Sequence, residues 1–284
     1  MKQTRMASGE WRVGGESPLT IRYSLFATRY FLLAIRPAAL AVVLALSHTA
    51  ARADQRADFL GGLTRDCHGC DLSGANFKRH DLAGADLAGA NLRKANFHDA
   101  NLAGAHLAGA DLTGANLNKA DLRRADLAGA KLNDAMLYAA NLDGARLPGA
   151  DLTDALMGTA RFTRSDLTKT ILRNTDLRKA RLADAILVGA DLTTAALDFA
   201  VLRSAKLDGA TLTQARLIEA ECNDASLVGA DLTDADASGA NFRGANFARA
   251  NLAGTSFRKG DLYDAHLDEA MFRDTTMPDG TTRP

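Results

Sequence analysis

Residues 100–129 read ANLAG AHLAG ADLTG ANLNK ADLRR ADLAG, six blocks of five with leucine at the third place of each. The same frame runs outward from this stretch without insertion. A centre residue falls every fifth position from Leu72 to Met277, which makes 42 units, 31 of them centred on Leu and seven on Phe. The other four centres are Met157, Cys222, Ala237 and Met277. Two places before the centre, Ala stands in 34 of the 42 units; Asp or Asn usually comes just before the centre, and Gly is common two places after it. A period of five matches neither the 3.6 of a helix nor the 2.0 of a strand, so ordinary helices and strands are excluded over this span. It fits a chain that turns a corner once per unit. The large centre and the small residue two before it then both point inward, as alternate residues of an extended segment do. The three outward places carry Asp, Asn, Thr, Arg, Lys and Gly, and Asn, Asp and Gly also favour tight turns.

The A(D/N)LxG pattern resembles the pentapeptide repeat family, over residues 67–277. The resemblance implies an all-β fold: a right-handed quadrilateral β-helix with four units per coil, about ten coils in all. At the ~4.8 Å spacing of neighbouring strands the rod is on the order of 50 Å long. Residues twenty apart then stack, and the inward residues of one coil can be compared. Ala237, the one small centre, shares its coil with Leu232, Phe242 and Phe247, as volume conservation in a packed core requires. Phe77 falls under Phe97 in the same way.

Both ends of such a solenoid need a cap. Residues 54–66, with Phe59, Leu60 and Leu63, are expected to form a short amphipathic turn over the first coil, and residues 278–284 a tail. Cys67 falls at a centre and Cys70 at a small inward place, so both point into the first coil. In an exported protein, Cys67-His68-Gly69-Cys70 reads as a capping disulfide. Two buried thiols, a metal site completed by His68 or His80, and a redox motif are the other readings; one CxxC without a second pair is weak evidence for metal. Asp71, not His, follows Cys70, which excludes the haem-attachment motif. Cys222 reads as a small core residue. His80 and Gly260 occupy inward alanine places, where local loosening is expected.

The first 53 residues differ in character. Arg22, Arg29 and Arg36 precede an apolar run from Pro37 to Leu46, then small residues ending Ala51-Arg52-Ala53. That order is a cleavable export signal with a long n-region, and inclusion of upstream sequence within residues 1–20 would account for the length. A rival reading makes Ser24–Ser47 a membrane anchor, against which stand Arg29, Arg36 and Pro37, since a charge at mid-membrane costs roughly 2.5–3.5 kcal/mol on insertion scales. The expected location is periplasmic or secreted, with no membrane span once the signal is removed. Residues 1–53 hold seven of the chain's 34 Lys/Arg and two of its 34 Asp/Glu, leaving 27 basic and 32 acidic residues afterwards, a net of −5. Such mild, interspersed charge gives no footprint for nucleic-acid phosphates.

No nucleophile–base–orienter set is recognisable, so no catalytic residue and no cofactor is expected. The aspartates do not build a calcium cage: the places before successive centres on one side run Asp71, Asn91, Asp111, Lys131, Asp151, Ile171, Asp191, which dilutes charge. Sorted by side, the outward residues are more informative. One side carries Met136, Tyr138, Leu156, Ala196, Phe199 and Ile218, and exposed apolar patches mark contact surfaces unless they reflect drift in a permissive repeat. Another, with Ala88, Ala108, Ala128, Pro148, Val188 and Val228, is flat and nearly uncharged. The expected function is a non-catalytic, exported structural or interaction scaffold that binds a protein partner in the bacterial envelope or itself. The alternatives are a DNA mimic binding topoisomerase, which the charge and the export signal disfavour, and a metal-binding or redox protein using Cys67 and Cys70.

Overall fold

The structure, a computed structural model, describes residues 55–284. The expected signal or anchor in residues 1–53 lies outside the described residues.

Each five-residue unit makes one backbone bridge and one two-residue turn. The bridges are all parallel and all join residues twenty apart, from Asp66 with Asp86 to Ser256 with Thr276. Four turns therefore separate a residue from the one stacked on it. Nearly all centres and alanines along the repeat are buried.

The hydrogen bonds explain the consensus residue by residue. In the unit around Leu112, the N–H of Leu112 donates to Lys131 O (2.7 Å) and that of Gly114 to Asn133 O (2.9 Å), both in the next coil. The N–H of Ala115 closes the corner onto Leu112 O (2.9 Å), and that of Asn116 reaches back to Ala95 O (2.9 Å). Only the N–H of Thr113 is left over, and it donates to Asp111 Oδ1 at 3.0 Å. The Asp or Asn before each centre is thus an Asx-turn acceptor for the one backbone donor that the coils cannot satisfy.

The corners are type II turns, with positive φ at the third turn residue. Every such residue from Gly69 to Asp274 is left-handed: 16 are glycines, and the other 26 are not. A side chain there costs about 1 kcal/mol or more, which explains why glycine is common at this place and also why it is not obligatory.

Core departures are compensated. Ring centroids of Phe242, Phe247 and Phe257 lie 5.1–5.7 Å from one another, with Phe257 one coil above the fully buried Ala237. Phe77 and Phe97 stack at 5.1 Å. Ser165, Thr170, Thr175, Thr255 and Thr275 replace inward alanines and are buried. Each hydroxyl donates to a carbonyl oxygen of a centre residue, Thr170 to Leu147 O at 2.8 Å for example.

At the ends the structure corrects several expectations. Residues 55–60 are helical, and Phe59 is buried edge-on against Phe77 with centroids 5.9 Å apart. Leu60 and Leu63, expected to share the cap, are exposed: one aromatic ring fills the mouth of the first coil. His80 is exposed despite its inward place, because the first coil has no rung beneath it there; its ring lies edge-on to Phe77. Gly260 marks a tight spot, not a loose one. A Cβ there would meet the carbonyl oxygens of Ala240 and Phe257 at 3.0 Å. At the far end the tail folds back. Strand β1 (Thr275–Thr276) pairs antiparallel with β2 (Thr282–Arg283), and the Arg283 guanidinium lies 3.7 Å from the Phe272 ring centroid.

Candidate interaction face

Met136, Tyr138, Leu156, Phe199 and Ile218 all fall on the side whose centres are Leu137, Met157, Leu177, Leu197 and Leu217. Tyr138, Leu156 and Phe199 are exposed at 54%, 52% and 48%, while Met136 and Ile218 are half-buried.

The five do not form one continuous surface. Met136 bridges directly to Leu156 in the next coil, and the Tyr138 ring lies over Gly158, whose Cβ position would be 3.5 Å from Tyr138 Cδ2. These residues make a lower patch. The next rung up carries Asp176, Arg178 and Lys179, with Arg178 clamped on Asp176 through two hydrogen bonds of 2.8 and 2.6 Å. Only above that charged rung come Ala196 and Phe199, then Ile218. The single apolar side expected from sequence is two patches divided by an ion pair.

Both patches carry features that do not serve the fold. Met136 and Leu156 stand where Asp or Asn would accept a backbone hydrogen bond, each worth roughly 1 kcal/mol. For the Met136 unit a substitute is found one coil below: Tyr138 N–H donates to Asn118 Oδ1 at 2.8 Å. Thr163 and Val228 are served similarly by Asp143 and Asp208. Phe199 is an exposed aromatic at a corner, where its φ of 59° matches that of the other non-glycine corner residues, so its exposure and not its backbone sets it apart. Beside it Asp198 is buried, with Arg216 3.3 Å away.

Cys67 and Cys70 are both buried, with Cα atoms 5.2 Å apart and sulfurs at bonding distance. His68 sits outside, 3.8 Å from Asp86. No group of three or more His, Cys, Asp or Glu side chains is placed to hold a metal among the described residues. Cys222 is buried, and burial pushes its thiol up, which makes it an unreactive core residue. No described helix is long and apolar enough to cross a membrane.

A sequence profile described as pentapeptide repeats matches in eight copies, over residues 66–102, 95–134, 120–157, 160–197, 195–234 and 225–262. The chain belongs to the pentapeptide repeat family. It is similar to HetL, a pentapeptide repeat protein involved in heterocyst differentiation regulation in the cyanobacterium Nostoc sp. strain PCC 7120. The two are 34% identical over 80% of this chain and 96% of that one, with a TM-score of 0.66. A pentapeptide repeat protein of the Arabidopsis thaliana thylakoid lumen is 37% identical over 42% of this chain and 72% of its own, with a TM-score of 0.26. QnrB1, a plasmid-mediated fluoroquinolone resistance protein, is 19% identical over 69% and 88% of the two chains, with a TM-score of 0.46. No curated relative matches the chain.

Proposed function

We propose that this protein is a non-catalytic binding scaffold, exported to the periplasm or beyond, which engages a protein partner or a second copy through the patches around Leu156 and Phe199. The coil is read as right-handed, with about ten turns. The observation that carries the reading is Leu156: half its surface is exposed, so it stabilises little, and it gives up the Asx acceptor that the fold favours at that place. Drift would not be expected to combine this with the exposed Phe199 two rungs away on the same side. Export is supported by the charged, apolar, small-residue order of residues 22–53 and by Cys67 and Cys70 lying at bonding distance, read as a disulfide that locks the first coil. Mimicry of DNA has less support, because many carboxylates are neutralised in place by arginine, as in the Asp121–Arg123, Asp143–Arg161 and Asp176–Arg178 pairs.

The test replaces Leu156 and Phe199 with Lys, singly and together, and follows mass by light scattering and partner recovery after crosslinking in the native envelope. The double variant is expected to lose the complex. An unchanged mass together with unchanged partner recovery refutes the reading. The single variants report whether one patch or both are engaged.

A further inference from the structure

Between the lower and upper coils, on the side whose centres are Leu122, Leu142 and Phe162, lies an open groove of about 700 Å³. Its walls include Arg123, Arg124, Arg161 and Arg164, and its floor includes Gly104 and Gly144. With Arg181 and Asp184 on the rung above, five guanidinium groups face three carboxylates, Asp121, Asp143 and Asp184. Elsewhere on the solenoid arginines are typically matched one to one with an acid, as in Arg93 with Asp111 or Arg243 with Asp261.

Two of those acids are already committed. Asp121 takes Arg123 in a clamp, Nε to Oδ1 at 2.8 Å and Nη2 to Oδ2 at 2.5 Å. Asp143 takes Arg161 through Nε at 3.0 Å and Nη2 at 2.6 Å. Those clamps fix two guanidinium groups and leave an Nη1 edge of each without a bond to a carboxylate. Arg124, Arg164 and Arg181 form no ion pair among the described residues; Asp184, stacked one rung above Arg164, is not within pairing distance. Arg124 and Arg164 occupy the same corner row two rungs apart, about 10 Å at the ~4.8 Å rung spacing. Between them the row holds Gly144, so no side chain fills the gap, and the Arg124 stem leans over it: a Cβ on Gly144 would lie 3.7 Å from Arg124 Cγ.

We infer that this groove is a binding site for an oligophosphate, a short chain of linked phosphoryl groups laid along the rod with its ends on Arg124 and Arg164. Guanidinium groups suit such a ligand because they offer paired donors to phosphate oxygens. Two unpaired arginines on one row, either side of a glycine, match a ligand with several linked charges better than a single anion. The site lies on a different side from the apolar patches and does not depend on their role.

The experiment titrates the full chain with sodium tripolyphosphate and, separately, with orthophosphate, by calorimetry in physiological salt. Tripolyphosphate is expected to bind at least tenfold more tightly than orthophosphate, and R124E/R164E to weaken it at least tenfold. Corner residues of the same row type include Gln214 and Glu219, so glutamate is tolerated there, and R124Q/R164Q provides a second variant without charge reversal. The control is R249E/R258E, which removes two arginines that form no described ion pair on other sides and should leave affinity unchanged. Absence of tripolyphosphate binding overturns the inference. So does equal affinity for the two phosphates, or a loss in the control equal to that in R124E/R164E, which would mark a diffuse field instead of a site.

Discussion

Ala237 and Phe257 exchange volume across one rung, and a double-mutant cycle measures that exchange. Ala237→Leu adds three heavy atoms where the rings of Phe242, Phe247 and Phe257 already sit 5.1–5.7 Å apart. Overpacking of this kind costs typically 1–3 kcal/mol, so about 2 kcal/mol is expected. Phe257→Leu removes three heavy atoms from a fully buried ring, and lost transfer plus residual cavity put its cost at about 2 kcal/mol. If the changes were independent, the double variant would lose about 4 kcal/mol. Because the added leucine occupies the space that the missing ring vacates, and both positions return to the commonest centre residue, the double variant should lose only about 1 kcal/mol, a coupling near the upper end of the usual range. Urea denaturation followed by far-UV circular dichroism measures this, provided that the slopes of the transitions agree, since unequal slopes would signal loss of cooperativity in a repeat protein. Additive losses would refute the idea that the two positions share one packing volume.

Further outcomes follow from the corners, the ends and the ion pairs. Gly260→Ala should destabilise by about 1–3 kcal/mol through overpacking, because Ala240 O and Phe257 O close on the new methyl; a neutral midpoint in urea would contradict that. At the corners, Gly84→Ala should cost about 1 kcal/mol from left-handed strain alone, since nothing lies within 4 Å of the new atom, and Thr159→Gly should stabilise by a comparable amount. Hydrogen bonds from Arg123 and Arg178 hold the carboxyls of Asp121 and Asp176 below the usual range. A depressed folded-state value means that the stabilisation is complete above the unfolded value of ~3.9 and is lost as pH falls through the lower, folded value. The urea midpoint should therefore fall between about pH 5 and pH 3, and D121N/D176N should flatten that fall; equal pH profiles for variant and parent would contradict it.

The inward half of the fold was legible in the sequence because a period of five, once fixed, assigns every residue to a depth. The outward half was less so. The frequency of Asp and Asn suggests turns, but their specific duty is set by the spare N–H of residues such as Thr113, which only the coil geometry reveals. That Asn118 can stand in for the missing acceptor at Met136 depends on a bond across a coil, which local propensity does not reveal. The division of the apolar side is legible in the sequence: Asp176, Arg178 and Lys179 stand at the same twenty-residue offset as Met136, Tyr138 and Leu156. The apolar members of the row do not by themselves display it. His80 failed for a different reason. Register assigns direction, but at the first rung there is no neighbour to bury against, and solvent wins. Gly260 failed because a missing side chain was read as space, when the surrounding carbonyls had closed in. The arginine groove was missed because its members are spread over 59 residues of sequence, from Arg123 to Arg181, and converge only through the coil.

Every assignment of a face rests on the twenty-residue rung, and paired cysteines test it most directly. Ala88 and Ala108 occupy the same outward row on adjacent rungs, where Gly89 N–H donates to Ala108 O at 2.9 Å, and neighbouring parallel strands at ~4.8 Å lie within the Cα range that a disulfide can bridge. Mild oxidation followed by non-reducing peptide mapping should find the bridge in A88C/A108C and none in A88C/A103C, whose residues are closer in sequence but on different sides. Efficient bridging of the second pair, with none in the first, would contradict the account.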